Sequence, residues 1–343
     1  MQRKITIIAA AAVAVAVAAI AAGVVFATGA LTLTQQDNVN DEGNNINNTA
    51  QITEQDGNDK LEVVASFFPL YDFARHVGGD RAQVSSLIPV GIEPHDWEPT
   101  AQNIVALQNA DMFIFNGAGF EGGWITQTES NLKVDTSTGI QLLEGGEDEA
   151  HQEEPLGQED TAAVTTDPHI WLDPVLAKHQ VEVIRDAFIQ LDLENSSYYR
   201  DNAARYISEL ESIDASIKSE LLSSDCNLKD FIAFHDAFSY FANRYNLTQH
   251  SVQGISPEGG EILPQRIIQI RDLATQLGID TIYSEDLVDP RLATVVANEI
   301  PNGRVLTLSP IEGVDKEELD QGIGYIQKMR ENIDNLKVGL KCQ

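Results

Sequence analysis

"DPVLAKHQVEVIRDAFIQLDLENSSYYRDNAARYISELESIDASIKSELL", residues 173–222, decides how the chain is organised. Asp173 is a good N-cap, and Pro174 suits the first helical position because its missing N–H would have no intrahelical partner there. Apolar residues recur at Val181, Ile184, Phe188 and Leu191, then again at Tyr206, Leu210, Ile213, Ile217 and Leu221. This spacing lines one face of a helix and predicts a linking helix over 174–224. Unbroken past Glu194 and Asn195, such a helix would reach on the order of 70 Å at ~1.5 Å per residue, too long for one lobe. It reads as a strut between two.

On either side, short apolar runs alternate with helical stretches. In residues 61–173, "LEVVASF" (61–67), "VSSLIP" (84–89), "DMFIFNGA" (111–118) and "LKVDTST" (132–138) read as strands. "LYDFARHV" reads as a helix stopped by Gly78 and Gly79, and Thr100 as the cap of a helix through Asn109. In residues 225–343 the alternation restarts with "FIAFH" (231–235), "IDTIYSE" (279–285) and "RVLTLS" (304–309) as strands. Helices are expected over "AFSYFANRY", "QRIIQIRDLATQLG" and "PRLATVVANEI", with a closing helix from about Glu317 to Lys341. Strands alternating with helices indicate parallel α/β layers. The fold expected is α/β: two Rossmann-like lobes joined by a long rigid backbone helix.

The chain carries 53 Asp and Glu against 22 Lys and Arg, a net charge of −31. That charge repels phosphate backbones, so nucleic acid is not an expected partner. Arg3 and Lys4 precede an apolar run from Ile5 to Phe26, the pattern of an export signal or membrane anchor within residues 1–30. An uncleaved anchor, with cleavage as the alternative, leaves the remainder outside the cytoplasm. No Cys follows the run, which excludes a bacterial-type lipid anchor. Residues 31–60 are polar and read as a disordered tether. A second polar stretch, the loop 144–166, holds eight acids and no Lys or Arg between Glu144 and Asp160, with His151 its sole histidine. Outside the cytoplasm Cys226 and Cys342 can oxidise to a disulfide, an outcome left open because sequence does not bring their Cα atoms within reach.

Three of the seven histidines stand out. His235 ends the apolar strand "FIAFH", His95 lies in the Pro-flanked loop "PHDWEP" after a strand, and His169 lies in "PHIWLDP" just before the strut. In open α/β sheets ligands sit at the carboxyl ends of strands. Neutral imidazoles suit Zn(II), and three of them with one carboxylate complete a tetrahedron. Their wide separation in sequence excludes a zinc finger and requires distant segments to converge in a cleft.

"GIEPHDWEPT", "DPHIWLDP" and "FIAFHDAFSYFANRYNL", with "GISPEGGEILPQRI" and "TLSPIEG" beyond them, resemble the zinc/manganese solute-binding proteins of ABC importers, the ZnuA and AdcA group. The likeness runs from about Leu61 to the C-terminus. It implies metal held in a cleft between the lobes and delivered to an ABC permease driven by a cytoplasmic ATPase. Carried over by position, His95, His169 and His235 match the family's histidine ligands. "LSPIEG" matches zinc members whose glutamate is the fourth ligand, which selects Glu312, with Glu285 of "YSEDLVD" as the alternative. Asp236 is the expected acceptor for an imidazole N–H, and Trp97 the expected wall of the pocket.

Three nitrogens and one carboxylate favour Zn(II) over Mn(II), which prefers more oxygen donors. The expectation is thus a monomeric zinc carrier and no enzyme. A manganese-binding homologue is the alternative, and a secreted zinc hydrolase or an adhesin are further ones. No HExxH motif is present to support the hydrolase.

Overall fold

The computed structural model describes residues 60–145, 166–222, 225–253 and 264–343. The apolar N-terminal segment, the polar tether and most of the acidic loop, with His151, lie outside these residues. Among those described, no helix is long and apolar enough to cross a membrane.

The first lobe holds β1 (Leu61–Ala65), α1 (Phe68–Gly78), β2 (Ala82–Ser86), α2 (Ala101–Asn109), β3 (Met112–Phe115) and β4 (Lys133–Asp135). Its strands are all parallel, in the order β2-β1-β3-β4. Val63, Ala65, Met112 and Ile114 are buried on one face with Phe73 and Val77 of α1, and Val64 and Phe113 on the other with Leu107 of α2, so both faces are covered as parallel sheets require. Thr100 caps α2 as expected: its hydroxyl accepts from the Asn103 N–H, and the Asn103 side chain accepts from the Thr100 N–H.

The single helix expected over 174–224 is two helices, α3 (Pro174–Leu191) and α4 (Ser196–Ile217). The break has a local cause. Asp192 turns its carboxylate onto the Asn195 N–H, the Asn195 amide and the Tyr199 hydroxyl, so the chain leaves helical geometry at 192. The two helices run antiparallel, with Phe188 stacked on Tyr199 beside the turn and Lys178 paired to Glu211 at the other end. α4, continued by a π-helical turn over Lys218–Leu222, carries the chain into the second lobe, and its 22 residues span about 33 Å at ~1.5 Å each rather than twice that.

The second lobe comprises β5 (Asp230–Ala233), α5 (Ser239–Arg244), β6 (Thr248–Ser251), α6 (Pro264–Leu277), β7 (Thr281–Ser284), α7 (Arg291–Asn298), β8 (Arg304–Thr307), α8 (Lys316–Asp320) and α9 (Tyr325–Gly339). Its strand order, β6-β5-β7-β8, repeats that of the first lobe. The edge strand β6 escapes sequence reading because "TQHS" has no apolar run. The expected closing helix divides where Gly322 adopts a left-handed φ of 74° and Gly324 caps α9.

One hydrophobic core runs through both lobes, from Val63 and Phe73 through Tyr206 and Ile213 to Phe231 and Met329. Hydrogen bonds cross between the lobes as well. The Tyr325 N–H donates to Asp72, which also accepts the Tyr206 hydroxyl from α4, and Tyr240 on α5 donates to the Asp167 carbonyl. A disulfide joins Cys226, ahead of β5, to Cys342, after α9.

Candidate metal centre

His95, His169, His235 and Glu312 converge, each offering one ligand atom within 4.8 Å of all the others. His95 follows β2, His235 follows β5 and Glu312 follows β8, while His169 lies in the loop that leads into α3. The structure thus brings together the four residues singled out from sequence, three from segments that follow strands and His169 from the loop before α3. Glu312 Oε1 lies 3.3 Å from His95 Nε2, 3.3 Å from His169 Nε2 and 3.7 Å from His235 Nε2. His169 and His235 face each other through Nε2 atoms 3.4 Å apart. A tetrahedral ion with bonds of ~2.0–2.1 Å has edges of roughly 3.3–3.4 Å, and these four spacings, from 3.3 to 3.7 Å, are close to that.

What orients the imidazoles differs from expectation. The His169 Nδ1–H donates to Asp167 Oδ1 at 2.8 Å, and the His235 Nδ1–H donates to Glu285 Oε1 at 2.6 Å. Each bond leaves the Nε2 lone pair facing the centre. Glu285 thus holds a histidine and is not the fourth member of the cluster. Asp236, expected in the orienting role, instead accepts from the Ser239 hydroxyl. The physical reason is geometric: Asp236 adjoins His235 in the chain, and its side chain departs in another direction, whereas Glu285 arrives from β7 beside β5. Asp167 has the same two-residue spacing to its histidine that makes a local turn, its Oδ1 also accepting the His169 N–H, and this spacing was the available signal.

Trp97 lines a cavity of about 470 Å³ beside His95, together with Phe120 and Trp124, and packs edge-on against Trp124. It is Phe120 that meets the His95 ring, at 5.4 Å. The loop carrying Phe120 is held by buried Glu121, which accepts from the Ser66 hydroxyl and from the N–H groups of Asn116 and Gly117. His95 has the most exposed side chain of the four, at 9 %, against 0–1 % for the rest. The cavity is accordingly the open side of the centre.

Burial pushes the Glu312 carboxyl up, but the charge of His95 and the close approach of the His169, His235 and His95 rings outweigh it and hold the group well below the usual carboxylate range. Burial pulls His169 and His235 down. Asp167 and Glu312 outweigh this for His169, and Glu285 and Glu312 for His235, so both rings end above the ordinary imidazole value, His235 well above. Glu93, which sequence reading passed over, is pushed up to about 9 by burial and then by the neighbouring Glu312 charge. It adds a carboxyl group beside Glu312. Both Glu312 oxygens and His95 Nε2 are buried without a hydrogen-bond partner. A convergence of acceptors left unpaired is costly unless a cation sits among them.

If Asp167 and Glu285 set the ring tautomers, Asp167→Asn and Glu285→Gln should each weaken zinc binding by about 10–100-fold. Chelator competition measures this. Affinities equal to the unsubstituted protein would show that the two carboxylates do not act on the centre.

Residues 63–339 match the family model described as the periplasmic zinc-uptake complex component A, ZnuA. The chain is 35% identical over 288 residues to the high-affinity zinc uptake system protein ZnuA of Bacillus subtilis, covering 82% of this chain and 88% of that protein. It is 34% identical to the zinc-binding lipoprotein AdcA of Streptococcus pneumoniae, but spans only 55% of that longer protein. Among solved structures it is similar to the metal-dependent lipoprotein YcdH of Bacillus subtilis, with a TM-score of 0.70, 34% identity, and coverage of 82% of this chain and 99% of that one. The Zn(II)-bound ZnuA-like domain of Streptococcus pneumoniae AdcA superposes with a TM-score of 0.69 at 30% identity, again covering 82% and 99%. By sequence, by fold and by the site at its centre, the chain belongs to the periplasmic zinc-uptake component A family.

Proposed function

We propose that this protein captures Zn(II) outside the cytoplasm and delivers it to an ABC-type import permease, with His95, His169, His235 and Glu312 as the ligands. The observation that carries the reading is the convergence of three imidazole nitrogens and a carboxylate, all acceptors, within 4.8 Å of one another. Four protein donors fill a zinc coordination sphere and leave no open position for an activated water, which supports a carrier over a hydrolase. Three nitrogens with one oxygen also favour zinc over manganese. The lobes 61–173 and 225–343 supply two ligands each, so separating them about α4 would dismantle the site and let the ion go. The N-terminal apolar segment would tether the protein near its permease.

Calorimetry of the metal-stripped protein with Zn(II) and Mn(II), from pH 5 to 8, tests the reading. Zinc should bind tighter, one ion per chain. Protons compete for the same nitrogens, and His169 and His235 lie above the ordinary ~6.5. Binding therefore displaces protons, and affinity should fall as pH drops, beginning above pH ~6.5. Tighter manganese binding, or zinc affinity flat across that range, would overturn the assignment.

A further inference from the structure

Trp171 is fully buried, and neither the ligand set nor the orienting carboxylates include it. Its indole Nε1–H donates to the Pro310 carbonyl at 2.7 Å, across the two lobes. Its own carbonyl accepts the Tyr325 hydroxyl at 2.5 Å, and its ring packs on His169 at 5.2 Å and on Phe67 and Phe120. Pro310 stands two residues before Glu312. Between them Ile311 has a φ of 56°, a left-handed conformation that a β-branched residue rarely adopts and that must be held by its surroundings. Three supports surround this segment. Ser309 Oγ accepts the Ile311 N–H, Asn332 brackets the Ser309 backbone, and Trp171 holds the Pro310 carbonyl. Of these three the last comes from the lobe that carries His95 and His169, and the Gly91 N–H of that lobe also bonds the Val314 carbonyl, beyond Glu312.

We propose that Trp171 is a positioning residue for zinc capture, its indole N–H tying the strained segment that aims Glu312 to the loop that presents His169. The inference rests on the ligand set proposed above. With the tie in place the empty site already has its ligating shape, and zinc does not have to order the Glu312 segment on arrival. Without it, the buried Pro310 carbonyl loses its donor and the segment relaxes away from its left-handed turn. Release to a permease would likewise begin by parting this bond, since it is one the lobes must break to separate.

The test is stopped-flow release of zinc to excess chelator from the full chain. The variants are Trp171→Phe, which keeps most of the ring, and the native chain with a tryptophan analogue bearing sulfur in place of the indole N–H. The analogue preserves shape and serves if Trp171→Phe fails to fold. Loss of one such hydrogen bond should speed release about tenfold. The same replacements in a Glu312→Ala background should change release less than twofold, because the group being positioned is gone. A general packing role predicts equal acceleration in both backgrounds, and that result would overturn the proposal, as would release at the native rate in the two single variants. Failure of the ligand set shows itself separately, as a native chain that retains no zinc.

Discussion

His235→Ala is expected to weaken zinc binding by about 10²–10³-fold, the largest effect of any single change in the centre. Structural zinc sites bind with apparent free energies of about 10–16 kcal/mol, which divides into roughly 2.5–4 kcal/mol for each of four ligands. His235 has reason to sit at the upper end. Its Nε2 faces both Glu312 and His169, and its Nδ1 occupies the buried Glu285 carboxylate. Removing the ring takes the side-chain donor from buried Glu285, which keeps the longer bond from the backbone N–H of residue 235, a further cost to the empty protein. Competition against a chromogenic chelator reads the affinity, and elemental analysis reads the stoichiometry. An affinity within threefold of the native value would remove His235 from the coordination sphere.

Replacing both cysteines by serine should destabilise the protein without touching the centre. The disulfide closes a loop with a sequence separation of 116. In the chain-entropy account, a loop of about 100 residues contributes ~4.7 kcal/mol by restricting the unfolded chain. At about 2 °C per kcal/mol for a chain of this size, Tm should fall by roughly 10 °C. Zinc affinity should stay within twofold, because Cys226 precedes β5 while His235 follows it, placing the bridge and the ion at opposite ends of the strand. The loss is tempered locally by backbone bonds from Asn227 and Leu228 to the last turn of the chain. An unchanged Tm would mean that the bridge does not hold the second lobe closed, and a parallel loss of zinc would mean that it shapes the site.

The two experiments separate two kinds of stabilisation. Zinc acts on the folded state and scales with its free concentration, as any ligand bound only by the native form does. The disulfide acts chiefly on the unfolded chain and is independent of zinc. In the cysteine variant, saturating zinc should therefore still raise Tm by the same increment as in the native protein.

Read in one dimension, the chain discloses most of its strands and helices, the Thr100 and Asp173 caps and the placement of His95 and His235 after strands. These depend on neighbours a few residues away: side-chain period, cap chemistry and the polarity of the residues bordering a buried run. Tertiary structure alone decided the rest. Asp192 broke the linking helix by capturing Asn195 and Tyr199, a competition that apolar periodicity does not register. Glu285 and Glu312 both come after apolar strands, and only the placing of β7 between β5 and β8 made one the partner of His235 Nδ1 and turned the other toward three Nε2 atoms. Glu93 beside Glu312, and Trp171 bound to Pro310, join residues far apart along the chain. Such contacts arise from where whole elements come to rest, so no short window of sequence contains them.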